Sequence, residues 1–170
     1  MKLKTVFAIT LALLGTHAAI AQSTGRPLID TRRTWTTGGS EQSSKTVKDP
    51  VIPGGKAIEM TSTGMNSRYS ANVSYRLTGA FQQGEKITMS GFIKAQKPTR
   101  IELYVELADA PYRRIGGGSI DVGTEWKPYS VAFVAPSDGA AGTTRAIVQL
   151  NGEARTVTFG PLSVVAEAGK

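Results

Sequence analysis

The sequence contains no cysteine, and its single histidine is His17. A chain without cysteine has no disulfide framework and no thiol nucleophile. If His17 is removed with a signal peptide, the mature chain also lacks imidazole. Ser-His and Cys-His catalysis are then excluded, together with ordinary zinc, copper and non-haem iron sites. For catalysis, the chain could still use carboxylate, lysine or tyrosine side chains or bound calcium.

Long apolar runs are also missing, with one exception near the N-terminus. Lys2 and Lys4 precede an apolar run at 6–14, and the Ala-Ile-Ala at 19–21 has the form of a signal-peptide cleavage site. The run is too short to cross the ~30 Å hydrocarbon core of a bilayer. We therefore predict that residues 1–21 are a secretory signal peptide. The mature chain, 22–170, is predicted to be exported to a periplasm or beyond and not to insert into a membrane.

Positive charge is in mild excess, but it is not concentrated in any one segment. The chain carries 20 Lys and Arg against 13 Asp and Glu, a net charge of +7. The basic residues are scattered and form no stripe of the kind that follows a phosphate backbone. We therefore expect no nucleic-acid partner.

The mature chain also lacks helical periodicity. Short runs of alternating apolar and polar residues, such as 71–77 and 144–150, are separated by loops rich in Gly, Pro, Ser and Asn. Eight or nine such runs predict a single all-β domain at 22–170, an antiparallel β-sandwich or jelly roll. Three consecutive glycines at 116–118 are followed by neither a helix nor a Lys-Ser/Thr pair. They are predicted to form a flexible loop, not a phosphate site.

The most regular pattern lies at 81–107. Residues 85–95 and 101–107 alternate on either side of a Lys-Pro turn at 97–98. A period of two buries one row of side chains and leaves the other row free. The pattern therefore predicts a central hairpin, whose free face carries Tyr104 between Glu102 and Glu106. We expect this face to bind a ligand.

Four segments resemble a known family when they are taken in order. They are GGKAIEM at 54–60, LTGAFQQGEKITMSGFIKA at 77–95, GTEWKPYSVAFVAP at 123–136 and TVTFGPLSV at 156–164. Together they resemble carbohydrate-binding modules of the family 4/9 type, galactose-binding-like jelly rolls found beside cellulases and xylanases. The resemblance covers mainly 54–165 and implies a polysaccharide or oligosaccharide as the partner.

The sequence departs from this family at two places. The segment PLIDTRRTW at 27–35 stands where the family usually has an Asn-rich stretch ending in Phe-Glu. The family's last strand often begins with paired Asp residues that help hold a structural calcium ion, and Gly160-Pro161 stands there instead. Asp30 is the remaining candidate calcium ligand, and no other cofactor is predicted.

Sugars bind where flat aromatic rings cover their CH faces and where amides, carboxylates and arginines bond their hydroxyl groups. The predicted ligand-binding residues are Tyr104, Glu102, Glu106, Arg76, Gln149, Phe92, Tyr69 and Tyr112. A structural role is the alternative to a binding role for these residues. The aromatic rings could pack against loops, and the carboxylates could be solvated and paired with Arg76 or Lys94. Trp126, at the entrance of a strand before Pro128, is predicted to be a structural corner.

Three functions are compatible with these observations. The first is a secreted, non-catalytic carbohydrate-binding protein. The second is a glycan-active hydrolase or its accessory module. Glu102 and Glu106, however, are four residues apart on one strand, about 13 Å, whereas glycosidase carboxylates are separated by roughly 5 to 9.5 Å. No catalytic residue is therefore predicted. The third is an envelope structural or adhesion protein that binds another protein.

Overall fold

The structure, a computed structural model, describes residues 25–30, 35–40, 42–64, 71–150 and 153–169. The predicted signal peptide and Tyr69 lie outside these residues. Within them the only helical element is a single 3-10 turn, Pro53–Gly55. No helix in this part of the chain is long and apolar enough to cross a membrane.

Strands account for the regular structure of the described residues. They are β1 (Arg26–Pro27), β2 (Thr36–Gly38), β3 (Gln42–Lys48), β4 (Lys56–Thr63), β5 (Asn72–Arg76), β6 (Lys86–Ala95), β7 (Thr99–Leu107), β8 (Arg114–Val122), β9 (Lys127–Val134), β10 (Thr144–Gln149) and β11 (Ala154–Glu167). The sequence pattern predicted eight or nine strands. It misses β2, because three residues are too few to show alternation.

The strands form two antiparallel sheets. The six-stranded sheet has the order β3-β4-β11-β6-β9, with β1 paired to β11, and the five-stranded sheet has the order β2-β5-β10-β7-β8. The core lies between them and takes the inward row of each strand. On β6 and β7 these buried residues are Ile87, Met89, Ile93, Ile101, Leu103 and Val105. Burying one such side chain contributes about 1.5–3 kcal/mol. The predicted antiparallel β-sandwich is confirmed.

The predicted hairpin at 81–107 is wrong. β6 pairs with β11 and β9 in one sheet, whereas β7 pairs with β10 and β8 in the other, so residues 96–98 cross between the sheets. The alternation identifies the buried rows correctly, but a period of two says nothing about which strands pair. The outward rows of β6 and β7 therefore face opposite sides of the sandwich. Phe92 and Tyr104 cannot share a surface.

The glycines at 116–118 do not form a loop but lie within β8. A Cβ atom built on Gly116 would lie 2.1 Å from Cδ2 of Phe133, and one on Gly118 would lie 3.2 Å from Cγ1 of Val131. Glycine is therefore required at 116, because side chains of β9 occupy the space that its own side chain would need. The prediction of a flexible loop failed because this packing is not visible in the local sequence.

A second, smaller apolar cluster covers the outer face of the six-stranded sheet. It contains Phe92 with Ile52 and Ala57, and Trp126 packs against it. The Trp126 indole Nε1 donates to Asp49 Oδ2 at 2.7 Å, and Lys94 Nζ donates to the same oxygen at 3.1 Å. These hydrogen bonds hold the loop after β3 against the sheet, which agrees with a structural role for Trp126.

Candidate functional site

A cleft of about 500 Å³ lies on the outer face of the five-stranded sheet. Its volume is within the range typical of ligand sites, about 300–1,000 Å³. It is lined from four strands and one loop, by Asn72, Tyr104, Glu106, Pro111, Tyr112, Arg114, Arg145, Ile147 and Gln149. Polar and aromatic side chains dominate this lining.

The strand register explains why these side chains meet. Gln149 of β10 is opposite Asn72 of β5, Ile147 is opposite Tyr104 of β7, and Arg145 is opposite Glu106. Because alternate residues of a strand share a face and neighbouring strands lie about 4.8 Å apart, the outward rows of β7 and β10 form one continuous surface.

The floor of the cleft consists of two buried side chains. Tyr104 is 5% exposed and Gln149 is 1% exposed. The Tyr104 hydroxyl donates to Gln149 Oε1 at 3.4 Å, and Gln149 Nε2 donates to the carbonyl of Ala71 at 2.8 Å. Both ends of the Gln149 amide are thus engaged within the protein, and this network keeps the floor in place.

One wall is formed by Arg114. Its Nη1 donates to Glu102 Oε2 at 2.9 Å, and its guanidinium carbon lies 4.7 Å from the centre of the Tyr104 ring. A guanidinium group at this distance is attracted to the face of the ring. Arg114 therefore covers one face of Tyr104.

A second arginine of the cleft, Arg145, likewise contacts one glutamate and one tyrosine ring. Arg145 donates from Nε and Nη2 to Glu106 Oε1, at 2.8 and 2.6 Å, and its guanidinium carbon lies 5.1 Å from the centre of the Tyr112 ring. The Glu106 side chain is 9% exposed. Among the described residues no hydrogen bond reaches the other carboxylate oxygen, Oε2.

Tyr112 is the exposed aromatic residue of the cleft, with 53% of its surface accessible. It lies in the turn between β7 and β8, where its amide donates to the carbonyl of Asp109 at 3.0 Å. Its φ of 52° is in the left-handed region, which a tyrosine seldom adopts. The turn thereby presents the ring at the rim of the cleft.

The predicted ligand-binding residues are only partly brought together. Tyr104, Glu106, Gln149 and Tyr112 line the cleft, and Glu102 adjoins it through Arg114. Arg76 lies on the same sheet but outside the lining, in an ion pair with Asp109 at 3.0 Å. Phe92 lies in the cluster on the opposite sheet and is 6% exposed. Tyr69 is outside the described residues.

Sequence reasoning missed five lining residues: Asn72, Pro111, Arg114, Arg145 and Ile147. The signal for two of them was present, because Arg145 and Ile147 alternate with Gln149 along one strand and must share its face. Arg114 could not be found in this way, because its position depends on the pairing of β7 with β8.

The calcium interpretation of Asp30 gains no support from the geometry. The carbonyl of Asp30 accepts a hydrogen bond from the Tyr75 hydroxyl at 3.0 Å. Within the described ranges, no three His, Cys, Asp or Glu side chains are grouped so that they could hold a metal ion.

The structure is similar to solved carbohydrate-binding modules. One, described as "CBM4 structure and function", is 16% identical, with a TM-score of 0.59 over 75% of this chain and 95% of that chain. The CBM22-1 xylan-binding domain of Xyn10C from Paenibacillus barcinonensis is 13% identical, with a TM-score of 0.58 over 86% and 97%. The N-terminal cellulose-binding domain of β-1,4-glucanase C from Cellulomonas fimi is 18% identical, with a TM-score of 0.54 over 80% and 90%.

No protein-family model and no curated protein matches the chain. The likeness to solved structures, at less than 20% identity, concerns the fold. The predicted resemblance is confirmed at this level: the chain has the jelly-roll fold of carbohydrate-binding modules.

Proposed function

We propose that this protein is an exported, non-catalytic carbohydrate-binding protein that holds a polysaccharide or oligosaccharide in the cleft of the five-stranded sheet. The observation that carries the proposal is the exposed ring of Tyr112 beside the Arg145–Glu106 ion pair. An aromatic face next to a charged donor and acceptor is suited to a sugar, which has apolar CH faces and a rim of hydroxyl groups.

Each group in the cleft has a distinct part in this proposal. The Tyr112 ring stacks on the CH face of a sugar unit. Arg145 and Arg114 donate hydrogen bonds to ring or hydroxyl oxygens, and Glu106 Oε2 accepts one from a hydroxyl group. The ion pairs hold these side chains in place before the ligand arrives, so less side-chain freedom is lost on binding.

The absence of catalysis is part of the proposal and rests on spacing and partners. Glu102 and Glu106 are four residues apart on β7, about 13 Å by the rise of a strand, too far apart for a glycosidase pair. Each is also in an ion pair, with Arg114 and Arg145 respectively. The proposal that the protein is exported is supported by the signal-peptide pattern of residues 1–21.

The proposal is tested with the mature chain, residues 22–170, by a glycan array followed by affinity gels containing the polysaccharides that bind. Retention by at least one glycan is expected, with loss of retention in Tyr112→Ala. Val134→Ala is the matched control, because Val134 is 65% exposed and lies on the other sheet. If no plant or bacterial polysaccharide retains the wild-type protein, the proposal is wrong. Release of sugars from a bound glycan would favour the hydrolase alternative instead.

A further inference from the structure

Arg76 joins three separate segments of the chain at one end of the five-stranded sheet. It is the last residue of β5, and its Nη1 donates to the carbonyl of Gly142, just before β10, at 2.9 Å. Its Nη2 and Nη1 donate to the two carboxylate oxygens of Asp109, at 3.0 and 3.5 Å. Asp109 lies in the turn between β7 and β8 that also carries Tyr112. A guanidinium group that meets a carboxylate through two bonds fixes the orientation of that carboxylate as well as its distance.

The support on which Arg76 stands is itself held by backbone hydrogen bonds. The Gly142 amide donates to the carbonyl of Leu77 at 2.8 Å, and the Leu77 amide donates to the carbonyl of Thr144 at 2.8 Å. Leu77 directly follows Arg76 and is buried in the core. The end of β5 and the start of β10 therefore form a fixed base for the contact between Arg76 and the turn.

The turn needs support because Tyr112 has a backbone conformation that is unfavourable for tyrosine. Its φ of 52° lies in the left-handed region, and residues other than glycine keep such a conformation only where their surroundings impose it. The Tyr112 amide donates to the carbonyl of Asp109 at 3.0 Å. The residue that Arg76 holds by its side chain thus holds Tyr112 by its carbonyl.

Charge on the neighbouring strand makes the same contact necessary. Arg76 is directly opposite Arg145 in the register of β5 and β10, and like charges in this position destabilise a sheet. Arg145 is bonded to Glu106 and lies against the Tyr112 ring. Among the described residues, Asp109 provides the one ion pair of Arg76. Each arginine therefore has its own carboxylate, and that of Arg76 belongs to the turn.

We propose that Arg76 is a positioning residue for glycan binding: through Asp109 it holds the turn that presents the Tyr112 ring at the rim of the cleft. This inference rests on the proposed function. Arg76 itself does not line the cleft. The Arg76 and Asp109 side chains are 56% and 75% exposed, and an ion pair this exposed adds little to the stability of the whole fold. Its effect is therefore expected on the turn and on glycan affinity, not on global unfolding.

Isothermal titration of the mature chain with the glycan that the wild type binds measures this role. Arg76→Ala is expected to lower the affinity about two- to tenfold, because the Tyr112 side chain must then be ordered when the glycan binds. Asp109→Ala is expected to lower it equally, and the double variant no further, because all three lose the same contact. Arg76→Lys keeps the positive charge but not the two-bond geometry, and it is expected to bind more tightly than Arg76→Ala.

The Asp109 variant distinguishes positioning from direct contact with the glycan. Asp109→Ala leaves Arg76 in place, so a glycan bonded to Arg76 itself would be bound at least as tightly as by the wild type. Wild-type affinity in Asp109→Ala, together with a loss in Arg76→Ala, would overturn the inference. Lys86→Ala is the matched control, because Lys86 is 53% exposed and its ion pair with Glu167, at 3.4 Å, lies on the other sheet. It is expected to keep the wild-type affinity.

Amide hydrogen exchange, followed by NMR without any glycan, gives a second readout. The Tyr112 amide is expected to lose protection in both Arg76→Ala and Asp109→Ala, while the amides of the core strands keep theirs. Unchanged protection of Tyr112 would overturn the inference. Loss of protection throughout the protein would show a general structural role for the ion pair and would likewise overturn it.

The two readouts separate the two proposals. If the wild type binds no glycan, the proposed function fails, and the role of Arg76 in binding fails with it. If the wild type binds a glycan and Arg76→Ala keeps its affinity, the proposed function stands and the positioning role alone is overturned.

Discussion

Arg145 donates from both Nε and Nη2 to a single oxygen of Glu106, at 2.8 and 2.6 Å. The two residues are directly opposite each other on neighbouring strands. Hydrogen bonds between charged groups are shorter and stronger than neutral ones. This pair therefore fixes both side chains in the lining of the cleft, while the described residues make no hydrogen bond to the second oxygen of Glu106.

Glu106→Gln is expected to destabilise the protein. The substitution removes the negative charge opposite Arg145 in a nearly buried position, and we expect the free energy of unfolding to fall by about 1.5–3 kcal/mol. Urea unfolding measures the change. Glu125→Gln is the matched control and should differ from wild type by less than about 0.5 kcal/mol, since Glu125 is 81% exposed and 3.9 Å from Lys127. Equal effects of the two substitutions would contradict this role of Glu106.

Tyr112→Ala is expected to weaken glycan binding without unfolding the protein. Loss of an aromatic ring that becomes buried on binding should cost about 1.5–3 kcal/mol, roughly a ten- to hundredfold decrease in affinity. Tyr112→Phe retains the ring and should keep most of the affinity. Both are measured by titration with the glycan that the wild type binds. A Phe variant as weak as the Ala variant would show that the hydroxyl group, and not the ring, makes the contact.

Gly116→Ala is expected to destabilise the sandwich. The added methyl group would lie 2.1 Å from the Phe133 ring, so the two sheets must shift locally, at a cost of about 1–3 kcal/mol. Gly123→Ala is the control, because its nearest neighbour would be the Tyr129 hydroxyl at 3.9 Å. Thermal and urea unfolding give the comparison. Adding Phe133→Leu to Gly116→Ala should restore part of the lost stability, and no restoration would argue against this contact as the cause.

The stability of the Asp49 cluster is expected to depend on pH. The hydrogen bond from Trp126 is the largest of the effects that hold the pKa of Asp49 below its ordinary value of 3.8, followed by bonds from the Val51 amide and Lys94. Because the pKa is lowered in the folded state, its contribution to stability is present above pH ~4 and is lost as the pH falls through the folded-state pKa.

Urea unfolding of wild type and Asp49→Asn at several pH values measures this contribution. The wild type should be the more stable of the two near neutral pH, and the difference should shrink as the solution is acidified below pH ~4. A difference that is constant from neutral to acidic pH would show that the charge of Asp49 is not what stabilises the cluster.

Much of the fold could be predicted from local pattern. The alternation on β6, β7 and β10 identified which residues are buried, because in a strand the side-chain direction follows directly from residue parity. The same alternation placed Tyr104, Glu106 and Gln149 on outward faces, and the structure gathers all three in one cleft. These statements need no knowledge of which strands are neighbours.

The pairing of strands could not be read in this way. β6 and β7 are adjacent in sequence but lie in opposite sheets, and the partner of β7 in the cleft is β10, some forty residues further along the chain. The strand next to Tyr104 on the other side is β8, whose three glycines look like a loop in the sequence. They form a strand because β8 pairs with β7, and Phe133 and Val131 of β9 occupy the space that side chains at 116 and 118 would need.

The sequence by itself determined the chemistry that is possible. The absence of cysteine excludes thiol catalysis, the one histidine, His17, lies in the segment predicted to be a signal peptide, and the period of two excludes a helical fold. The tertiary structure alone decided which polar residues meet. Arg114 covers Tyr104, and Arg145 pairs with Glu106, only because distant strands are brought into register by the burial of their inner rows. That burial depends on the whole sandwich, and no local segment of the sequence contains it.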